Sequence, residues 1–278
     1  MLIEARRNIG YPPVRCRLGS GEDQRALMIE SDVVTEAQRL LSAADAADLP
    51  VRALGGAAIA IRLAERMPPS LSRAIADIDL ATPKRAGRKV EDFLAAAGYE
   101  PNEAFNSMNG ARRLLFYDSG HGRQLDVFVG VFEMCHELPL DARLLREPRT
   151  LPLAELVMTK LQIRKLNVKD RNDLYALLSC CPVEDHDGNA INASYISELC
   201  ADDWGLCRTS TINLDLLQEE CDDVELTETQ QEQLSAGLSR LRAAIEDRPK
   251  SRRWKMRARV GDRVRWYEDP EEVEHGGY

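Results

Sequence analysis

The sequence has few aromatic residues and no long apolar run. Aromatic side chains make up 5% of its 278 residues, and no stretch approaches the roughly 18 uninterrupted apolar residues of a transmembrane helix. The first ten residues carry Glu4, Arg6 and Arg7 with no apolar segment behind them, which excludes a secretory signal. We therefore expect a cytoplasmic protein with no membrane partner.

Several common binding motifs are also missing. The chain contains neither a Gly-x-Gly-x-x-Gly run nor a Walker A loop, which disfavours a dinucleotide-binding or P-loop protein. Its seven cysteines include no Cys-x-x-Cys pair, so we expect reduced, buried thiols rather than a zinc site or disulfides.

What is present predicts a globular α+β protein. The chain is 44% hydrophobic and 30% charged, close to the usual globular composition. Helical and strand patterns alternate in the first half, which predicts a small mixed sheet with helices packed on it. The second half is mainly helical. We divide the chain into a flexible arm (1–31), a mixed domain (32–150), a helical domain (151–247), and a basic β-hairpin with a tail (248–278).

The terminal hairpin is predicted from alternation. Apolar residues alternate with Lys and Arg from residue 254 to 260 and again from 264 to 266. A three-residue loop at 261–263 would place Val260 opposite Val264 and Ala258 opposite Trp266. Five side chains would then face inward, and a row of cations would face solvent: Trp254, Met256, Val260, Val264 and Trp266 are the inward set.

A glycine pair and an aspartate pair form the most informative stretch. Gly55-Gly56 follows an apolar strand and opens a helix, a setting in which backbone N–H groups approach a phosphate closely. Asp77 and Asp79 are spaced i, i+2 on the next predicted strand, residues 75–81, so both side chains point the same way. Two carboxylates on one face repel each other unless a cation lies between them.

A third acid completes the pattern. Asp126 lies on another predicted strand among Leu125, Val127 and Phe128, where an unpaired carboxylate is costly to bury. Three acids on neighbouring strands beside a glycine turn are typical of a metal-dependent phosphoryl-transfer site holding Mg²⁺ or Mn²⁺. The alternative interpretation makes these acids ordinary turn and surface residues.

These segments resemble a known superfamily. Residues 54–56 (Leu-Gly-Gly), 77–80 (Asp-Ile-Asp-Leu) and 125–128 (Leu-Asp-Val-Phe) resemble the nucleotidyltransferases built on the DNA polymerase β fold. Residues 156–162 and 169–174, with Thr-Lys followed by Lys-Asp-x-x-Asp-Leu, resemble a later motif of the AbiEii-like toxin nucleotidyltransferases. The resemblance spans about residues 50–180, and it departs from many members in having Gly-Gly where they have Gly-Ser.

The resemblance implies transfer of NMP from an NTP to an acceptor hydroxyl. It implies that Gly55 and Gly56 cradle the triphosphate and that Asp77 and Asp79 bind the metal. It further implies tRNA as a candidate acceptor, through its 3′ end, and a toxin role in a toxin–antitoxin or phage-defence pair with a cognate antitoxin as partner.

Three further roles follow from the same resemblance. Asp126 completes the metal site near the acceptor oxygen. Lys160 pairs with the phosphates, although a lysine on this helix could also simply reach solvent. Asp170 is the later acid of the catalytic set, with Asp173 as the alternative. Arg73 and Lys84 flank the Asp-x-Asp strand, and we interpret them as surface charge.

The charge distribution leaves an RNA partner open. The net charge of −9 disfavours a nucleic-acid binder, but residues 248–266 contain nine Lys or Arg and one acid. These cations would either contact RNA phosphates or neutralise the protein's own acidic face. A non-catalytic nucleotide- or RNA-binding module on the same fold is therefore the alternative to an enzyme.

Overall fold

A five-stranded mixed sheet forms the centre of the first half of the chain. A computed structural model describes residues 29–269, so most of the expected N-terminal arm and the end of the expected C-terminal tail lie outside the described residues. The strand order is β1-β2-β5-β4-β3, in which β2 and β5 are parallel and the other neighbours are antiparallel. These strands are β1 (Arg52–Leu54), β2 (Ile78–Thr82), β3 (Glu100–Pro101), β4 (Arg113–Asp118) and β5 (Arg123–Val129).

Helices accompany this sheet, and two small strand pairs follow it. The helices of the first half are α1 (Val33–Ala46), α2 (Gly55–Leu63), α3 (Gly87–Ala96) and α4 (Glu103–Asn109). The two pairs are β6 (Val131–Glu133) with β7 (Glu137–Pro139), and β8 (Val183–Glu184) with β9 (Ile191–Asn192).

The second half is mainly helical. Its helices are α5 (Leu153–Leu161), α6 (Val168–Cys180), α7 (Ala193–Asp202), α8 (Trp204–Glu220), α9 (Glu228–Asp247) and α10 (Arg252–Ala258). The α+β class with a helical second half is confirmed. Within the described residues, no helix has both the length and the apolar character needed to cross a membrane.

Local sequence signals explain several helix starts. Asp32 caps α1, because its side chain accepts a hydrogen bond from the Thr35 amide. Thr227 and Gln230 form the reciprocal capping box that the Thr-x-x-Gln pattern predicts at the start of α9. The capping residues therefore account for where α1 and α9 begin.

Helix α2 connects the sheet to the helical half. It packs on β2 and α1 on one side and on α5 and α6 on another. Its buried residues, such as Ala58 and Ile59, belong to one apolar core that runs from Ala37 to Ile245. The start of α2 is thus held between the sheet and the helices that carry Lys160 and Asp170.

The predicted C-terminal hairpin is wrong. Residues 252–258 form helix α10, and Gly261–Arg263 form a 3₁₀ turn. Ser251 caps this helix by accepting a hydrogen bond from the Trp254 amide, and the Arg, Lys, Met and Ala residues that follow favour a helix. Met256, Val260 and Val264, expected inside, are 62%, 41% and 55% exposed.

The strand that carries the aspartate pair is shorter than predicted. It starts at Ile78, so Asp79 lies within β2, and Asp77 lies immediately before it. The pairing explains this limit, since Ile78 opposite Leu125 is the first pair between β2 and β5. Asp77 is therefore an exposed residue at the end of the loop that leads into β2.

Candidate active site

Gly55 lies so close to Asp79 that any side chain at position 55 would collide with the carboxylate. Strand β1 ends at Leu54, which lies opposite Asp79, so the chain turns into α2 directly beside that carboxylate. Gly55 has a φ of 66°, in the left-handed region. A Cβ at Gly55 would lie 2.1 Å from Oδ2 of Asp79, so only glycine leaves room for the carboxylate.

The three predicted aspartates lie close together where β2 and β5 pass the start of α2. Asp79 and Asp126 are direct partners in the parallel register of β2 and β5. Asp77 and Asp126 are close enough to Asp79 to act on its ionisation. Burial first, and then the charges of Asp77 and Asp126, raise the pKa of Asp79 to about 8, although Lys160 and Arg113 oppose this shift.

Asp126 has a cationic partner that sequence reasoning missed. Nε of Arg113 donates to Oδ1 of Asp126 at 2.7 Å, and Nε2 of Gln124 donates to Oδ2 at 2.7 Å. The Arg113 guanidinium also lies 5.4 Å from the ring centroid of Phe128 and 5.8 Å from that of Phe105. Both carboxylate oxygens of Asp126 therefore already accept a hydrogen bond.

The three predicted aspartates do not form a ready-made metal site. Within residues 29–269, no group of three or more His, Cys, Asp or Glu side chains is arranged to hold a metal ion. Asp77 and Asp79 are a carboxylate pair close to each other, whereas each oxygen of Asp126 already accepts one hydrogen bond and has one lone pair left for a cation. The donor set consists of carboxylate oxygens, the type that Mg²⁺ prefers.

Lys160 lies in a network with both later acids. Its Nζ is 2.9 Å from Oδ1 of Asp170 and 3.1 Å from Oδ2 of Asp173, and its side chain is 14% exposed. Burial lowers the pKa of Lys160, but the two carboxylates outweigh burial and raise it, so the amine stays charged. Sequence reasoning left Asp170 and Asp173 as alternatives, and the structure brings both to the same lysine.

Arg73 joins this network instead of lying at the surface. Its Nε and Nη2 donate to the two oxygens of Asp173 at 3.0 and 2.9 Å, and the side chain is 21% exposed. A Cβ at Gly56 would lie 2.7 Å from Nη2 of Arg73, so glycine allows the guanidinium to pack on the first turn of α2. Lys84, in contrast, is exposed as expected.

The register of the β4–β5 pair, once known, accounts for one of these missed residues. Arg113 lies opposite Phe128, two residues from the position opposite Asp126, so it occupies a diagonal position on the same face of the β4–β5 pair. The contact between Arg73 and Asp173 joins positions 100 residues apart in sequence, and no local pattern indicates it.

The site combines a glycine turn, aspartates on adjacent strands and cations beside the helix start. This combination is typical of a nucleotidyltransferase. Residues 10–170 match the family described as "Uncharacterised nucleotidyltransferase". The chain therefore belongs to this nucleotidyltransferase family, and that coarser part of the resemblance is confirmed. The match does not support the narrower AbiEii-like assignment. No curated protein matches the chain.

Proposed function

We propose that the protein is a metal-dependent nucleotidyltransferase that moves NMP from an NTP to an acceptor hydroxyl. The observation that carries this proposal is the contact of Gly55 with Asp79, which puts a helix start and a half-buried carboxylate at the same point. In the reaction, the acceptor oxygen forms a bond to the α-phosphorus of the NTP. The bond from that phosphorus to the β-phosphate bridging oxygen breaks, and pyrophosphate leaves.

The residues fit a divalent cation at the aspartate pair. Asp79 is unfavourably charged next to Asp77 and Asp126, and a bound cation would remove that penalty. In our proposal Asp77 and Asp79 hold Mg²⁺ or Mn²⁺, and Asp126 joins them through a lone pair that its two hydrogen bonds leave free. When bound, such an ion would neutralise charge on the phosphates as NMP is transferred.

The triphosphate would lie on the start of α2. The N–H groups of its first turn, at Gly55 and Gly56, have no earlier helical carbonyl to bond, and the helix dipole favours an anion there. Lys160 and Arg73 add two cations, which Asp170 and Asp173 hold in place. The acids thus position the cations in the absence of substrate.

Asp126 is the proposed base for the acceptor hydroxyl. Its side chain is 5% exposed and lies on the central strand of the sheet, beside Asp79. A carboxylate there can take the proton as the acceptor oxygen attacks. Asp170, which contacts Lys160, would orient that cation.

The finer parts of the proposal come from the AbiEii-like resemblance. We include the 3′ end of tRNA as the candidate acceptor, a toxin role, and a cognate antitoxin as candidate partner. The exposed cations of the C-terminal segment, including Arg253 and Arg259, suit an RNA acceptor by charge.

The experiment is a transfer assay with each of the four α-labelled NTPs, Mg²⁺ or Mn²⁺, and total RNA. We expect label to enter RNA with the wild type and with Asp92→Asn, since Asp92 is an exposed acid on α3. Asp79→Asn should abolish transfer. If no NTP labels any RNA or protein, the transferase proposal fails.

One observation favours a second candidate, a non-catalytic nucleotide-binding module. Asp126 accepts hydrogen bonds from Arg113 and Gln124, so the negative charge of the third acid is already balanced by a cation of the protein itself. Such a module would bind NTP and metal without turnover. Binding of NTP together with absent transfer in the assay above would select it.

A further inference from the structure

A small cavity lies along α2, next to the proposed phosphate site. Its volume is about 170 Å³, and most of the residues that line it are apolar, while Ser72, Arg73 and Asp173 add polar surface. One wall comes from α2, and the other comes from the loop between α2 and β2. The side chains that argue for its character are Ile59, Ala60, Met67, Leu71 and Ile75.

The cavity shares residues with the phosphate site. Gly56, Arg73 and Asp173 line both. Ile59 and Ala60 lie three and four residues after Gly56, so they continue the same face of α2 by one turn. The cavity therefore starts where the proposed triphosphate site ends.

The opposite wall leads to the carboxylates. Ile75 lines the cavity, and Asp77 follows two residues later, just before β2. The 3₁₀ turn Pro69–Leu71 buries Leu71 and holds this loop against the protein, because Leu71 is 5% exposed. One loop thus connects the cavity wall to the proposed metal ligands.

We propose that this cavity, the α2 slot, binds the nucleoside part of the NTP. The proposal rests on the proposed function, since it assumes a triphosphate at Gly55 and Gly56. A volume below the 300–1,000 Å³ of drug-sized sites suits one flat ring system. Apolar side chains such as Ile59 and Met67 would stabilise the faces of such a ring, and the Arg73 guanidinium in the lining offers it a planar surface.

The lining also indicates how the slot selects. Arg73 already donates to both oxygens of Asp173 and to the Ala74 carbonyl. Ser72 is the other polar side chain on its walls, and it is exposed. A site rejects an analogue strongly only when buried polar groups would lose their partners. The affinity of the slot should therefore differ more between a nucleotide and bare triphosphate than between nucleotides with different bases.

The test compares binding of ATP, CTP and inorganic tripolyphosphate by titration calorimetry with Mg²⁺. Ala60→Phe fills the slot, and Met67→Ala removes part of its wall. Ala95→Phe on the exposed face of α3 is the matched control. Circular dichroism checks that each variant is folded.

We expect Ala60→Phe to weaken ATP and CTP binding by about tenfold or more, since loss of one well-packed apolar contact is worth that much. Met67→Ala should weaken both nucleotides by a smaller factor. Tripolyphosphate affinity should stay at the wild-type value in both variants, and Ala95→Phe should change nothing.

The outcomes separate the slot from the proposed function. If the wild type binds both nucleotides and tripolyphosphate, but Ala60→Phe and Met67→Ala weaken neither nucleotide, the slot proposal is wrong and the triphosphate site stands. If the variants weaken tripolyphosphate as strongly as ATP, the cavity does not hold the nucleoside. If the wild type binds none of the three ligands, the proposed function itself fails.

Discussion

Gly55→Ala is the sharpest test of the proposed site, because a matched control lies elsewhere in the chain. Gly55 has a φ of 66°, and Gly122, in the loop between β4 and β5, has a φ of 62°. Alanine at either position pays the same backbone cost, about 1–2 kcal/mol for a left-handed residue with a Cβ. The surroundings of the two added methyl groups differ completely.

At Gly122 a Cβ would meet nothing within 4 Å. At Gly55 it would lie 2.1 Å from Oδ2, 3.0 Å from Cγ and 3.2 Å from Cβ of Asp79. The whole side chain is crowded, so rotation of its terminal group alone does not relieve the contact. Asp79 must move by about 1 Å, a displacement that costs on the order of a hundredfold in rate when it affects a reacting group.

We therefore expect Gly122→Ala to lose about 1–2 kcal/mol in the free energy of unfolding, measured by urea denaturation, and Gly55→Ala to lose more, because the contact with Asp79 adds to the backbone cost. Gly122→Ala should retain Mn²⁺ binding and NMP transfer, and Gly55→Ala should lose transfer by about a hundredfold. If both variants transfer NMP at the wild-type rate, the reasoning is refuted, since the approach of Gly55 to Asp79 would then carry no function. If both lose transfer to the same extent, backbone strain alone explains the loss.

Three further predictions concern charge and capping. The pKa of Asp79 is raised to about 8 from 3.8, so between these pH values the metal-free folded state keeps a proton that the unfolded chain releases. The free energy of unfolding should therefore fall as the pH rises from about 4 to 8. Asp79→Asn should reduce this slope, whose limit is about 1.4 kcal/mol per pH unit, in urea titrations. Arg113→Gln frees Asp126 and should tighten Mn²⁺ binding in an electron paramagnetic resonance titration, whereas the neighbouring Arg112→Gln should not. Thr227→Ala should cost about 1 kcal/mol of unfolding free energy, measured by thermal denaturation, because it removes the capping box.

Much of the sheet could be predicted because its signals are local. Two apolar runs, residues 112–117 and 124–129, indicated β4 and β5, and the glycine pair marked the start of α2. The register then follows from pairing, which sets Asp79 beside Asp126. Strand ends were less accurate, since the first residues of the predicted 75–81 strand have no neighbouring strand to pair with.

The partners of the site residues were less accessible to sequence reasoning. The hydrogen bond from Arg113 to Asp126 follows from the register of a hairpin, which periodicity alone does not fix. Arg73 meets Asp173 because the 3₁₀ turn Pro69–Leu71, just before Arg73, packs on α6. Composition and spacing therefore located the acids, and tertiary packing decided which cations neutralise them.

The C-terminal segment shows why a short alternating pattern is ambiguous. Helix α10 presents Trp254, Arg257 and Ala258 inward, at i, i+3 and i+4, so a helical face coexists with the alternation. The helix also changes which cations are free. Arg257 lies 4.5 Å from the Trp204 ring and donates to the carbonyls of Gly261 and Val264, so it holds the turn together.

Because Arg257 stabilises the turn after α10, an RNA partner should be tested with other cations of this segment. A charge reversal at Arg257 would break the turn, and a loss of RNA labelling there would say nothing about phosphate contacts. Arg253 and Arg259 are exposed cations of the same segment, so reversing their charge alters the surface potential without removing a fold contact that the described residues show. A phosphate contact made by these two would also weaken steeply with salt, whereas a turn broken at Arg257 would stay broken at any ionic strength. Salt dependence therefore separates an RNA-binding surface from cations that serve only the fold.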